Sequence, residues 1–600
     1  MYRKGVLRMD IEAQTTENIT RLSNTFWNIA NVIRDIYKRN EYGNVILPLT
    51  IIKRFDDVLK PTKQAVLNQW DEIQREKYTV EEMEQELLTQ AAKHQFYNVS
   101  KFDFDSLLAD PDNIEDNFRE YLAGFSPNVK EKILDNFQFD NEIDTLEKND
   151  ALYLVLKEFG KPEAYLGADK VTTTDMGYVF ENLIRRFSEA TNEQAGEHFT
   201  SRDVVELMCD LLVSGREESI KNDDSYIKVY DQTMGTSQML TCFQDYIKKI
   251  NNKKPVYLYG QELNPKTYAI AEADALIRDP KDLNNFDDQY KCGNTLTNDQ
   301  ITEYKFEYAL SNPPFGTNYA LEKDKVKKDS RFGVGLPRVS DGQMLFDLNS
   351  LSKLNEKDGR MAIVHSGSPL YIGSAGSGES NIRKYIIEND WLEAIIQLPE
   401  SLFYNTSITT YIWIMSKNKP EKEKGKVQLI DASGMGTLRR KNIGNKRYDL
   451  TKQARKIIKK IFADFENTKY EESGLYCEAK VLDNDEFGYT KIIIESPKKD
   501  KQGNIIVDKK GNPKADPKKR DYENVPLTEN IDEYFTREVK PYRPESWINK
   551  NKSIIGYEIP FARIFYKFKN PEKTEDIEKE IKKTGKEFLE SLNELFSEVE

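Results

Sequence analysis

The residues best suited to chemistry stand at Asn312-Pro-Pro-Phe315, where the apolar run Phe306-Glu-Tyr-Ala-Leu310 comes to an end. Two consecutive prolines fix φ and lack N–H donors, so a strand must stop there. Asn312 is then held at a strand's carboxyl end, where open α/β sheets bind their ligands. Its amide offers an acceptor and two donors. The Pro313 carbonyl is a further acceptor, and Phe315 supplies a flat π face. Such a set fits a planar group bearing an exocyclic amine, such as a nucleobase. Taken alone, the same four residues read equally well as a strand followed by a proline-rich turn.

A second constellation decides between these readings. Tyr226-Ile-Lys-Val-Tyr230 runs into Asp231-Gln-Thr-Met-Gly-Thr-Ser-Gln-Met239. An acid, a glycine-containing turn and a helix start can receive an adenosyl-type cofactor, because glycine lets the backbone approach closely and the following N–H groups face the ligand. Asp231, Thr233, Gly235, Thr236 and Ser237 are the candidate cofactor residues of this loop. The next strand ends in Gln261-Glu262, whose carboxylate can accept both hydroxyls of a ribose. Gly-x-Gly-x-x-Gly is absent, which disfavours NAD. A third strand region, Cys292-Gly-Asn-Thr-Leu296, puts Asn294 where it can meet an adenine edge. Four successive strand ends thus carry the pattern of S-adenosylmethionine-dependent methyltransferases acting on an amino nitrogen.

The elements that must position these residues follow from texture. Residues 1–168 read as a helical domain, with Ile19, Leu22, Phe26, Ile29, Ile33 and Ile36 on one amphipathic stripe. From 169 to 480, helices alternate with short apolar strands, as βαβ units of a mostly parallel sheet do. The strands at 392–398 and 411–415 are expected to close that sheet as an antiparallel edge pair. Residues 481–600 read as an extension. It holds a Lys-rich hairpin or linker at 498–520 and an amphipathic tail with Ile577, Ile581, Phe588, Leu592 and Leu595 at helical spacing, suited to docking on another chain. No internal repeat is evident.

Composition narrows the class. The net charge is −13, unlike a protein that grips DNA by itself. No apolar run of membrane-spanning length is present, and the amino terminus lacks the apolar core of a signal peptide. The four scattered cysteines and three histidines argue against a structural zinc site and for a reducing cytoplasm.

The motifs together resemble the modification (methylase) subunit of type I restriction-modification systems. They are Gly196-Glu-His-Phe-Thr-Ser-Arg202, Tyr259-Gly-Gln-Glu-Leu263, Asn312-Pro-Pro-Phe-Gly316, Asp341-Gly-Gln-Met-Leu-Phe346, Val364-His-Ser-Gly-Ser-Pro-Leu370, Gly376-Ser-Gly-Glu-Ser380 and Leu398-Pro-Glu-Ser-Leu-Phe-Tyr-Asn405. Glu41-Tyr-Gly-Asn-Val-Ile-Leu-Pro48 and Glu523-Asn-Val-Pro-Leu527 extend the likeness over nearly the whole chain. The resemblance implies an α/β, Rossmann-like S-adenosylmethionine-dependent methyltransferase with a seven-stranded sheet, an N-terminal helical domain and a C-terminal helical tail. It implies methylation of adenine N6 in double-stranded DNA, with the adenine flipped out of the duplex, and no metal for methyl transfer. Two copies would assemble with one specificity subunit that reads the sequence, and restriction subunits would join for cleavage. Glu197, His198, Phe199, Thr200, Ser201 and Arg202 would lie along the cofactor, and Glu262 would be the ribose acid. Asn312, Pro313, Pro314 and Phe315 would be catalytic, and Phe403 would face the far side of the flipped base. The basic stretch Glu322–Arg338 reads equally well as a loop that contacts a DNA strand and as a merely solvated one. The chain departs from the family pattern at Gln232, where Pro is usual, at Ser237-Gln238, and at Asn294 and Glu307, where Asp is common.

Two other readings are carried forward. One is a protein-amide N-methyltransferase, since Asn-Pro-Pro-aromatic also suits planar amides. The other is a methyltransferase-like scaffold that no longer binds the cofactor.

Overall fold

The computed structural model describes residues 21–22, 24–76, 81–189, 200–278, 289–404, 406–566 and 574–597. The chain forms two compact units, Met1–Glu558 and Ile559–Glu600.

The centre of the first unit is a sheet whose early strands are β1 Ile227–Asp231, β2 Val256–Glu262, β3 Tyr290–Cys292, β4 Tyr308–Ser311, β5 Arg360–His365, β6 Leu392–Gln397, β7 Tyr411–Ser416 and β8 Lys426–Gly434. A two-stranded ribbon follows, β9 Thr437–Ile443 with β10 Lys446–Asp449, and then β11 Thr468–Glu472 and β12 Leu475–Asp483. The sheet order is β11-β12-β8-β6-β7-β5-β4-β1-β2-β3. The expected seven-stranded arrangement is the run from β3 to β6, and β8, β12 and β11 extend it to ten strands. β1 pairs in parallel with β2 and β4, and β4 with β5, so their carboxyl ends open on one edge. β5 is buried along its whole length, Arg360 to His365, as a strand covered on both faces must be.

One expectation is corrected here. β7 is antiparallel to both β5 and β6, but the β6–β7 pair is not an edge. β8 pairs in parallel with β6 and carries the sheet onward. The apolar run Val427-Gln-Leu-Ile430 gives β8 a buried face that needs this neighbour.

The helix Arg202–Val213 is fixed against the sheet by a buried charge. Arg360 donates from Nε to Glu393 at 2.8 Å and from Nη1 to the Leu211, Leu212 and Ser214 carbonyls. A cation at a helix carboxyl end meets carbonyls that have no partner within the helix.

The N-terminal helices form their own core. The helix Tyr42–Leu59 is buried nearly all round, with Lys53 Nζ 2.7 Å from Asp57 inside it. Leu22, Phe26, Ile29 and Ile33 of the expected stripe are fully buried, and Ile19 lies outside the described residues. Ala269, Ile270, Ala273 and Leu276 join that core from the helix after β2, Pro265–Arg278, so the helical layer packs against that helix.

Beyond the large sheet, β13 Gly488–Glu495 pairs with β14 Asp521–Pro526, β15 Trp547–Ile548 and β16 Ile554–Tyr557. The second unit contains the helix Thr574–Ser597, on which Ile577, Ile581 and Phe588 are exposed. The side chains of Leu592 and Leu595 lie outside the described set. Among the described residues, no helix is long and apolar enough to cross a membrane.

Candidate active site

The carboxyl ends of β1, β2, β3 and β4 come together around a cavity of about 450 Å³. Its lining includes Thr233, Glu262, Asn294, Pro314, Tyr319 and Phe346.

At the end of β1, Asp231 is fully buried. Its Oδ1 accepts the Thr233 N–H at 3.0 Å, and its Oδ2 has no partner. Burial raises the carboxyl to about 7, and nearby Glu262 pushes it the same way. Gly235 and Ser237 both take left-handed backbone, with φ of 55° and 65°. Glycine adopts this without strain, whereas Ser237 does so at the N-cap of the helix Gln238–Ile250. Gln232, where the family pattern has proline, is 1% exposed. Its Nε2 donates to the Phe346 carbonyl at 3.0 Å, and its Oε1 accepts from Asn349 Nδ2 at 2.7 Å. Gln232 therefore bolts the loop to the helix Gln343–Lys353 by side-chain hydrogen bonds.

Glu262 is 7% exposed, and burial raises its carboxyl above the ordinary range. Its Oε2 accepts the Gly235 N–H at 3.0 Å and its Oε1 the Asn264 N–H at 2.8 Å. The acid thus joins the β1 and β2 loops across the cavity wall. Asn294 lines the cavity, with its Oδ1 capping the Leu296 N–H at 2.9 Å.

At the end of β4, Asn312 donates from Nδ2 to Thr200 Oγ1 at 2.9 Å. Its Oδ1 is buried with no partner. Thr200 Oγ1 itself donates to Met239 Sδ at 3.4 Å, so it accepts the Asn312 amide N–H and leaves the acceptor arm of the amide bare. The Pro314 carbonyl accepts from Thr317 Oγ1 at 2.8 Å, whereas no described hydrogen bond takes the Pro313 carbonyl. Thr233 Oγ1 and Ser311 Oγ lie 2.7 Å apart, linking the cofactor loop to the base of the Asn312 corner.

The structure brings together Thr200, Asp231, Thr233, Gly235, Ser237, Glu262, Asn294 and Asn312 through Phe315, with Thr236 half-buried in the same loop. Glu197, His198 and Phe199 lie outside the described residues. Ser201 and Arg202 are engaged in starting the helix Arg202–Val213. Ser201 Oγ bonds Asp203, and the Arg202 guanidinium lies 5.3 Å from the Tyr178 ring centroid. Phe403 is corrected: at 2% exposure it packs in the hydrophobic core and presents no free face to a base. Two cations of the basic stretch have acidic partners. Arg331 contacts Asp299, Asp329 and Asn349, and Arg338 pairs with Asp341 at 2.8 Å. Glu307 accepts the Lys228 N–H at 2.8 Å near the amino ends of β1 and β4, away from the cavity.

Sequence reasoning missed two contributors, Leu263 and Asn349, and the role that Thr200 plays toward Asn312. Leu263 is 65% exposed on the cavity rim, an apolar surface for a flat ligand. Thr200 orients Asn312 across 112 residues of chain. Asn349 ties both Gln232 and Arg331 to one helix. Only Leu263 carried a local signal, as the residue after the strand-ending acid. Among the described residues, no group of three or more His, Cys, Asp or Glu is arranged to hold a metal ion.

The strand order, with acids ending β1 and β2, is that of the α/β fold of S-adenosylmethionine-dependent methyltransferases. Residues 172–495 match the family model described as N-6 DNA Methylase, and residues 22–159 match the one described as HsdM N-terminal domain. The chain belongs to the N-6 DNA methylase family. It is 27% identical over 330 residues to the methylase subunit of the type I restriction enzyme HindI of Haemophilus influenzae, covering 54% of this chain and 67% of that one. It is 23% identical over 469 residues to the MjaIX methylase subunit of Methanocaldococcus jannaschii, covering 75% of this chain and 78% of that one. In fold it resembles the crystal structure of a type I restriction-modification methyltransferase subunit from Streptococcus thermophilus. That match has a TM-score of 0.58 at 23% identity, over 78% of this chain and 96% of that one.

Proposed function

We propose that this chain methylates adenine N6 in duplex DNA with S-adenosylmethionine as donor. It does so as the modification subunit of a type I restriction-modification complex whose separate specificity subunit reads the target sequence. The observation that carries this reading is Asn312. Its amide nitrogen is taken by Thr200 and its buried oxygen is left open, beside a cavity that Glu262 and Pro314 line.

The residues present fit the donor. Asp231 Oδ2 is an unpartnered buried acceptor suited to a cationic group. Glu262 stands at the end of the second strand as a ribose acid does, and Leu263 and Asn294 offer an apolar face and an amide to an adenine ring. S-adenosylmethionine supplies an electrophilic methyl when bound.

The chain's own residues prepare the nucleophile. Adenine N6 is weak because its lone pair is delocalised into the ring. Asn312 Oδ1 and the Pro313 carbonyl accept the two amine hydrogens, which pulls the nitrogen toward tetrahedral geometry and frees the lone pair. Phe315 stacks on the ring and holds the nitrogen in line, and orientation supplies much of the acceleration. A base in a duplex must be flipped out to reach this corner. The parts at 1–168 and 481–600 serve packing and docking in this reading. The exposed apolar positions Ile577, Ile581 and Phe588 suit the specificity subunit, and restriction subunits complete the complex for cleavage.

The test is methyl transfer to duplex DNA in the presence of the specificity subunit, run beside a glutamine-bearing protein substrate. Methylated adenine in the DNA is the expected product. Methyl on the protein would favour the amide-methyltransferase reading, and a folded chain that binds no donor in calorimetry would favour the scaffold.

A further inference from the structure

The protein carries a net charge of −13, so its body repels a polyanion. One segment runs strongly against that balance. From Lys498 to Arg520 there are nine basic and three acidic side chains. The segment is inserted between β13 and β14 and folds as a forked ribbon. A stem pairs Pro497 with Ala515, then divides into two hairpins closed by Lys499–Ile505 and Val507–Pro513. At the fork the backbones of Lys498, Ile506 and Lys514 bond one another in a ring, at 2.8–2.9 Å.

The hairpin tips repeat one pattern, Asp500-Lys-Gln-Gly-Asn504 and Asp508-Lys-Lys-Gly-Asn512, an internal repeat that the sequence reading overlooked. In each, the Asp carboxylate accepts N–H groups of its own turn. Asp500 takes Gln502 and Asn504 at 2.8 and 2.9 Å, and Asp508 takes Lys510 and Asn512 at 2.8 and 3.0 Å. Gly503 and Gly511 supply the positive φ, 91° and 85°, that these turns require. Asp516 caps the Lys518 N–H in the same way at 3.1 Å. All three acids thus shape turns. Lys499 and Arg520 pair with Glu545 and Glu495. Lys501, Lys509, Lys510, Lys518 and Lys519 are exposed, with no ion pair described. Sequence reads this stretch as an exposed hairpin or linker with solvated lysines, but a merely solvated loop needs neither ordered turns nor three corners that each present lysine.

We propose that the forked ribbon is a grip for the phosphate backbone of duplex DNA, holding the duplex against an otherwise repelling body without reading its sequence. This rests on the proposed DNA methyltransferase function, since a protein that never meets DNA has no use for such a grip. Phosphate contacts release condensed counterions, so each contributes about 0.9 to the slope of log affinity against log salt.

The test titrates the full chain, alone and with its specificity subunit, onto a duplex lacking a target site at several salt concentrations. The variant Lys501→Gln/Lys509→Gln/Lys510→Gln/Lys518→Gln is compared with the wild type and with the corresponding Lys→Arg variant. The Gln variant is expected to flatten the salt slope by about 2 to 4 and to weaken cognate and non-cognate duplexes alike. The Arg variant is expected to keep the wild-type slope, and donor binding by all three reports intact folding. Equal slopes for wild type and Gln variant, with both still binding DNA, would overturn the grip and leave the methyltransferase reading standing, as for a ribbon that meets an acidic protein surface. A wild type that binds no duplex in either form would overturn both.

Discussion

The two halves of the site treat their acceptors in opposite ways. On the cofactor side, Glu262 already holds two backbone N–H groups and Asp231 holds one. On the base side, Asn312 Oδ1 is buried and holds nothing, because its own amide nitrogen is tied back to Thr200. The first half is built into the backbone of its loops, with one oxygen, Asp231 Oδ2, left without a partner, and a ligand adds to bonds that are already made. The second half is an acceptor kept open, and an unpaired buried acceptor costs about 1–3 kcal/mol. That cost is offset when an amine arrives, which places the strongest drive toward binding at the atom where chemistry is needed.

This contrast predicts a graded set of effects. Asn312→Ala removes the open acceptor and is expected to lower single-turnover methylation on the order of 10³-fold, while calorimetry finds donor affinity nearly unchanged. Donor affinity collapsing with it would mean that the two halves are not separable. Glu262→Ala acts on the other half. It is expected to weaken donor binding about 100-fold, as loss of a charged hydrogen-bonding group does, with the rate at saturating donor much less affected.

Acidity sharpens the same contrast, because only the cofactor half titrates. Burial lifts Asp231 from an ordinary 3.8 to about 7. Donor affinity is therefore expected to fall about tenfold per pH unit below 7, as the acceptor for a cation becomes protonated. The sign for folding is the reverse. Between about 4 and 7 the native chain holds a proton that the unfolded chain has released. This contribution to stability is full below the unfolded pKa and is lost as pH rises through 7. Asp231→Asn should flatten both profiles, and an unchanged donor-affinity profile would remove Asp231 from the cation site. The smallest effect is expected at Thr200→Val, which frees the Asn312 amide to turn. Turnover should fall about tenfold, consistent with one lost hydrogen bond, with Thr200→Ser restoring it. If Ser and Val behaved alike, the role of Thr200 would be steric.

The carboxyl-end residues were legible because punctuation marks them. Gly235, the acid ending β2 and the proline pair at 313–314 each end or turn a strand in a way that sequence displays. What escaped was set by neighbours distant in the chain. No local pattern shows that Thr200 turns Asn312, or that Asn349 replaces a missing loop proline by gripping Gln232. Phe403 is set against the base by the family motif alone, which does not say whether the ring faces core or ligand, and only burial separates the two. The β6–β7 pair looked like an edge because its connection is short; the apolar run at 427–431 marks β8 as a strand, but nothing local places it beside β6 or announces β11 and β12. Charge misled in both directions. Arg331 and Arg338 are held by Asp299, Asp329 and Asp341, whereas the lysines at 501, 509 and 510 stand on ordered turns. A run of basic residues shows its charge in sequence, and only the fold shows which of those charges are already answered.

The central claim is that this corner delivers a methyl group to adenine N6. It is tested most directly by incubating the chain and its specificity subunit with duplex DNA and isotopically labelled donor, then digesting the DNA and identifying the labelled nucleoside. The account predicts N6-methyldeoxyadenosine with the wild type and, at matched times, on the order of 10³-fold less with Asn312→Ala, although that variant still binds the donor. Label on cytosine or on protein, or equal adenine labelling by the variant, would contradict it.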